Sequence, residues 1–484
     1  MSKFLPTFHI LAKLGALFSL LLATPALVSY WYLDHLTTTH LYSAAISFTV
    51  CFIVWALTYR FQRELMARDG FMLVTVMWLA FALVASIPFY LSIPNMRFID
   101  AYFEAISGLT TTGFTVIDSL DTLAPSLNFW RHMLNWLGGM GIIVLAVAVL
   151  PMLGVGGMQL FRAEVSGINK GHKLAPRITQ VAKHMWLIYS FFTIIIALAL
   201  KAAGMSWFDA ICHAMSSVSL SGFSTHSNSI AYFQSPLIEW IIMLAMLLGI
   251  INYTNHFTAF HQRSLKPYRQ DTEIKISFFL LPISVIAIAW YLWRTDTYDL
   301  LSSFRYALFN VVSVGVSGGF SSTNFGEWPL VTTLWMLFLA NIVSNSGSTG
   351  GGIKTIRLLV LIQFMMREMV FLLHPNAVRT VKINHLTVSE RTALTVLAFI
   401  FVYFACIVVF TFVMMLTGLD FLTALSFMIA CITNAGQALG NLGPANTCSG
   451  LADFQKIIAL FVMLLGRLEV FTLFILFTPA YWRK

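Results

Sequence analysis

Apolar runs long enough to cross a bilayer recur near 10–33, 43–59, 71–94, 130–153, 184–203, 236–258, 276–293, 330–345, 393–417 and 455–480. They predict about ten membrane-spanning helices. Between several consecutive runs lies a shorter, less apolar segment of helical pattern that ends in Gly, Ser and Thr. Such a segment is too short to cross and reads as a re-entrant helix followed by a loop. The expected fold is an all-α membrane protein.

Aligning these segments on Gly113 in TTTGFT, Gly222 in SLSGFS, Gly319 in VSGGFS and Gly436 in TNAGQA brings them into one register without gaps. Ala101, Ala210, Ala307 and Ala424 stand twelve positions before the anchor. Apolar Ile106, Met215, Val312 and Ile429 stand seven before it, and small Ser107, Ser216, Ser313 and Ala430 six before it. Phe114, Phe223 and Phe320 follow the anchor in three segments, whereas Gln437 does so in the fourth. The anchors are 109, 97 and 117 residues apart, and each interval holds a span, a basic loop and another span. The pattern is a fourfold repeat of span, pore helix, loop and span around one pore. We expect an N-terminal two-helix extension at 1–69 and repeats at 70–165, 166–262, 263–380 and 381–484.

Composition removes the soluble alternatives. Of 484 residues, 58% are hydrophobic and 10% charged, with a mean hydropathy of +0.80. That leaves too little polar surface to cover a water-soluble globule, so the lipid bilayer is the expected solvent. A net charge of +9 would suit nucleic acid, but Lys and Arg sit in short clusters. The clusters are Arg60, Arg63 and Arg68; Arg162, Lys170, Lys173, Arg177 and Lys183; Arg263, Lys266, Arg269 and Lys275; and Lys354, Arg357, Arg367, Arg379, Lys382 and Arg391. Loops at 33–42, 225–237 and 437–455 carry none. By the positive-inside rule the basic segments and both termini are cytoplasmic, and nucleic acid is not an expected partner. Cys51, Cys212, Cys406, Cys431 and Cys448 form no CxxC pair and imply neither a disulfide framework nor a zinc site. The first apolar stretch, with small residues from Ala23 to Ala26, resembles a signal peptide, but the many spans after it favour a retained helix.

The repeated loops suit a bare cation. Inside a membrane its water must be replaced by oxygen ligands, and backbone carbonyls supply these without burying a full charge. Glycine permits the left-handed backbone and the close approach that let carbonyls converge. Hydroxyls of Thr110 to Thr112, Ser219, Ser221, Ser317 and Thr433 either brace the loops or offer oxygens of their own. Asp100, Asp209 and Asp420 stand near the starts of three pore helices. They serve as helix caps, as an electronegative vestibule, or as both.

In the third repeat the second span is interrupted by NSGSTGGGIKT, Asn345 to Thr355. A run this rich in Gly and Ser cannot be a regular helix in lipid. It reads as an intramembrane gating loop below the filter, with a cytoplasmic turn between two shorter helices as the alternative. Arg467, inside the last span, is costly enough to need a reason. Projecting into the conduction path it would raise the barrier to cations; pairing with Glu469, or reaching toward the membrane face, are the other readings.

With these features the chain resembles the Trk/Ktr/HKT superfamily of potassium transporters, most closely its bacterial TrkH-type branch. The resemblance spans the leading helix pair, the four repeats, the Gly-rich interruption and GRLE in the last span. It implies a selectivity filter for K+ made of Thr110, Thr111, Thr112, Gly113; Ser219, Leu220, Ser221, Gly222; Val316, Ser317, Gly318, Gly319; and Thr433, Asn434, Ala435, Gly436. It implies a gate at Asn345, Ser346, Gly347, Ser348, Thr349, Gly350, Gly351, Gly352 and Lys354, with Arg467 against it. It further implies a homodimer with one pore per protomer, a cytosolic TrkA-type nucleotide-binding regulatory ring, residence in the bacterial inner membrane and no enzymatic cofactor. The fourth loop, TNAGQALGNLGP, departs from the pattern, and Gly440 or Gly443 competes there with Gly436.

Three rival readings fit the residues less well. Gly315 to Gly319 matches the GxSxG of a serine-protease elbow, but His374 and His385, the histidines after Ser317, lie in a basic cytoplasmic segment. GSTGGGIKT fails as a phosphate loop because Ile353 separates Gly352 from Lys354. A coupled secondary transporter of inverted-repeat type is disfavoured because all repeats here start on the same side, while coupling of K+ to H+ or Na+ stays an open alternative.

Overall fold

The computed structural model describes residues 4–61, 67–144, 174–377, 380–383 and 386–483. Arg63, Arg162, Lys170, Lys173, Arg379 and His385 lie outside the described residues, as does the 130–153 run beyond Val144.

Each repeat opens with a long apolar helix: Ala67–Ser92, Leu174–Ala202, Thr272–Arg294 and Glu390–Leu416. Lipid, not water, explains their faces. On Thr272–Arg294, Phe279, Ile286 and Trp293 are exposed at two-turn spacing, while Ser277 and Ser284 are buried with Leu281, Val285 and Ile288. The N-terminal pair, Leu5–Tyr32 and Thr37–Thr58, packs on itself and against Ala67–Ser92, outside the repeats.

Four short helices follow, Phe98–Leu109, Trp207–Ser219, Leu300–Gly315 and Phe421–Thr433, of 12 to 16 residues. At 1.5 Å per residue they are about 18–24 Å long, short of the ~30 Å hydrocarbon core. Side-chain caps start three of them: Ser206 Oγ accepts from Asp209 N, Asp299 from Ser302 N and Asp420 from Thr423 N. Of the acidic residues singled out in the sequence, Asp420 is thus a cap and Asp209 lies in a first turn capped by Ser206. Asp100, also in a first turn, pairs with Arg97 at 2.9 Å and Lys456 at 2.7 Å.

The second spans are less regular than the hydropathy suggests. Pro125–Val144 is unbroken, but Pro236–Gly249 meets Tyr253–Gln262 at 92°, and Asp453–Arg467 meets Phe471–Phe477 at 109°. In the third repeat Leu330–Ile342 and Thr355–Leu373 flank an irregular loop. Among the described residues six helices are long and apolar enough to cross a membrane, and each bent pair adds one when taken as a single span. Sequence reasoning saw one of these three breaks. The other two fall in stretches whose mean hydropathy stays high despite isolated polar residues, where Asn252 caps a new helix and Glu469 takes a φ of +53°.

Candidate functional site

The four anchor glycines lie in one ring. All have left-handed backbone, with φ of +92°, +77°, +73° and +64° at Gly113, Gly222, Gly319 and Gly436. Two positions earlier, Thr111, Leu220, Ser317 and Asn434 are left-handed as well, at +54°, +55°, +61° and +52°. For residues with a Cβ this conformation is costly, and its fourfold recurrence marks stored strain of the kind found at functional sites.

What lies beside each glycine closes the ring. A Cβ added to Gly113 would overlap the Ser221 carbonyl of the second loop; one on Gly222, the Gly319 backbone of the third. One on Gly319 would lie 3.0 Å from the Ala435 carbonyl of the fourth, and one on Gly436 would overlap the Thr112 carbonyl of the first. Successive loops therefore touch backbone to backbone, and the last meets the first. Gly440 and Gly443 sit outside this ring: the first faces the Thr423 side chain of its own repeat and the second the Gly440 carbonyl.

The register at six before the anchor has a physical cause. The N–H of the residue just before each glycine donates to that position's carbonyl: Thr112 to Ser107 at 2.9 Å, Ser221 to Ser216 at 3.1 Å, Gly318 to Ser313 at 2.6 Å and Ala435 to Ala430 at 2.9 Å. Each pore helix thus ends by folding its chain back in the same way. Ser107 Oγ and Ser313 Oγ also donate to the carbonyls of Phe114 and Phe320, at 2.6 and 2.7 Å. In the fourth loop Asn434 Nδ2 reaches Thr112 Oγ1 at 2.9 Å and the Met463 carbonyl at 3.0 Å.

The interrupted span sits directly beside these helix ends. Asn345, Gly347, Ser348, Thr349, Gly350 and Gly351 are buried, and Ser346, Gly352 and Lys354 half-buried. Thr349 Oγ1 donates to Val218 O and Gly249 O, both at 3.2 Å, and a Cβ on Gly351 would overlap the Thr433 carbonyl. The segment is therefore enclosed by the bundle rather than a turn at its surface. Lys354 Nζ donates to Gly350 O. Buried Arg467 donates to Thr349 O at 3.0 Å and Gly138 O at 2.8 Å. Glu469 is not its partner: the break after Leu468 turns that carboxylate to Arg357, at 2.5 Å.

The protease elbow finds no base. Ser317 Oγ donates to Ala340 O at 3.4 Å, and among the described residues no histidine is hydrogen-bonded to it.

The family model described as TrkH, Cation transport protein, matches residues 40–484. The chain belongs to the TrkH cation transport protein family. The Trk system potassium uptake protein TrkH of Halomonas elongata is 41% identical over 479 residues, 98% of each chain. That of Escherichia coli K12 is 40% identical over 478 residues, 98% of this chain and 99% of its own. The crystal structure of the potassium transporter TrkH from Vibrio parahaemolyticus matches with a TM-score of 0.91 at 37% identity, covering 99% of this chain and 100% of that one.

Two groups of residues in this TrkH-family chain escaped the sequence reading. Glu273 Oε1, at the start of the third repeat, accepts from Ser346 N and Ile356 N at 3.0 Å and so ties down both legs of the irregular loop. Behind the ring, Glu104 and Arg131 form a fully buried pair at 2.6 Å. Glu104 also accepts from Thr115 Oγ1 and Val116 N, while Arg131 lies 4.1 Å over the Phe223 ring. The pair holds the chain leaving the first loop against that leaving the second. A lone Glu in FEAISG and a lone Arg in FWRH give no hint of each other in sequence. Arg131→Met leaves a buried carboxylate unpaired, so the purified variant is expected to lose about 3–5 kcal/mol of stability. Adding Glu104→Gln should recover most of the melting temperature; equal losses in the single and double variants would disprove the pairing.

Proposed function

We propose that this chain is a potassium uptake protein of the bacterial inner membrane. Ions enter from the outer face and exchange water for main-chain oxygens of Thr110 to Gly113, Ser219 to Gly222, Val316 to Gly319 and Thr433 to Gly436. They then pass a gate at Asn345 to Gly352, Lys354 and Arg467. The observation that carries this reading is the closed ring of four left-handed glycines, each against the backbone of the next loop. The names of the relatives, Trk system potassium uptake protein, support potassium as the cargo.

A negative-inside potential contributes about 2.3 kcal/mol per charge per 100 mV, so uptake needs no ATP hydrolysis by this chain. The division at 69, 165, 262 and 380, cytoplasmic termini and the homodimer belong to the same proposal. So does a cytosolic TrkA-type nucleotide-binding ring on the basic face, which would set the state of the gate.

Purified protein in liposomes under an imposed potential is expected to carry potassium faster than sodium, with a reversal potential that follows the potassium gradient alone. Absence of potassium flux would remove the reading. A reversal potential that moved with pH or sodium would replace the channel-like mechanism by coupled symport.

A further inference from the structure

Gln437 stands where the other repeats have Phe114, Phe223 and Phe320. Those rings pack away from the loops. Phe114 meets Phe427 edge-on with centroids 4.9 Å apart, Phe223 lies beneath Arg131, and Phe320 is fully buried. The Gln437 side chain instead turns sideways, and its Nε2 donates to the carbonyl of Gly319 in the neighbouring loop at 2.5 Å. That same oxygen also lies close to the second loop, where a Cβ on Gly222 would be 2.5 Å from it. The Gly319 carbonyl is thus bonded by the fourth loop and crowded by the second. Among the described residues no other anchor glycine has a side-chain N–H on its carbonyl.

The amide also brings a buried acceptor, its own Oε1, to which no protein group among the described residues donates. An unpaired buried acceptor is a cost that an apolar side chain of the same length would not carry. What the amide contributes is a fixed partial positive charge on one oxygen of the ring.

We propose that Gln437 sets the affinity for the permeant monovalent cation at the glycine level of the path, by holding a donor hydrogen against the Gly319 carbonyl. This rests on the reading of the four loops as an ion filter and assigns one side chain a role within it. A carbonyl that already accepts an N–H presents a weaker field to a cation, so the ring is unequal, with one attenuated oxygen at this level. A shallower site releases its ion sooner, and conduction needs binding strong enough to enter yet weak enough to leave.

Gln437→Met keeps the length and unbranched shape while removing the donor, and Gln437→Leu removes it with a different shape. In liposome flux both should lower the half-saturating potassium concentration about fivefold, the effect of roughly 1 kcal/mol, and lower the maximal rate as well. Equilibrium potassium binding to the purified variants, read by calorimetry, should tighten by the same factor. A variant that is merely damaged loses rate without gaining affinity, and that result overturns the proposal. So does a half-saturating concentration within twofold of the unsubstituted protein in both variants. If the unsubstituted protein carries no potassium, the filter reading itself has failed; if it does and the variants match it, only the role of Gln437 has.

Discussion

Gly222→Ala is expected to abolish potassium flux while leaving a folded membrane protein. At a φ of +77° any Cβ is strained by about 1–2 kcal/mol, which a chain of this size can absorb. The collision is the larger effect. The new methyl would lie 2.4 Å from the Gly319 carbonyl carbon and 2.5 Å from its Cα and oxygen, where ordinary contact begins near 3.4 Å, so two loops of the ring must part by about 1.0 Å. Oxygens that replace a hydration shell, as in the proposed filter, would not tolerate that shift, and flux should fall about 100-fold or more, with the potassium preference lost in what remains. Gly204→Ala is the control: its φ is +104°, but nothing lies within 4 Å of the added Cβ. Normal rubidium uptake by Gly222→Ala, or equal losses in both variants, would show that the ring is not the ion path.

Deleting residues 346–351 is expected to have the opposite effect and raise flux in the absence of any cytosolic regulator. The segment reaches from Val218, at the end of the second pore helix, to Thr433, at the end of the fourth, and its Thr349 carbonyl is held by Arg467. It therefore packs against the ends of the second and fourth short helices, where the proposed gate would lie. Under the proposed gating role, removing it would take away a steric block and free the Arg467 guanidinium from the Thr349 carbonyl. A barrier lowered by 1.4 kcal/mol gives about tenfold more flux, which we take as the minimum for the deletion. Arg467→Ala, which removes the charge and leaves the segment, should give a smaller rise. Flux that is unchanged or reduced in the deletion, measured at matched protein density in liposomes, would exclude a gate here.

The register of the four loops was legible because its causes are local. Glycine at the anchor answers a left-handed φ, and the small residue six positions earlier answers a chain that folds back onto that residue's carbonyl; both demands fall on single positions. The breaks in the second and fourth repeats were not legible, since the few polar residues there, Asn252 in one and Arg467 with Glu469 in the other, leave the mean hydropathy of each run high enough for a continuous span. Burial of Asn345 to Gly351 depended equally on what surrounds them, and Glu273 carries no sign in sequence that it spans both legs of that segment.

Taken alone, the amino-acid order determined that this is an all-α membrane protein with a fourfold unit, because hydropathy, charge placement and the absence of a Cβ belong to residues wherever they end up. The tertiary structure decided which oxygens face which loops, that Gly436 rather than Gly440 closes the ring, that Glu469 answers Arg357 and not Arg467, and that Gln437 reaches Gly319. Those are contacts through space. Asn434 and Thr112 lie 322 positions apart and still meet at 2.9 Å, a distance that only the packing of separate helices can set.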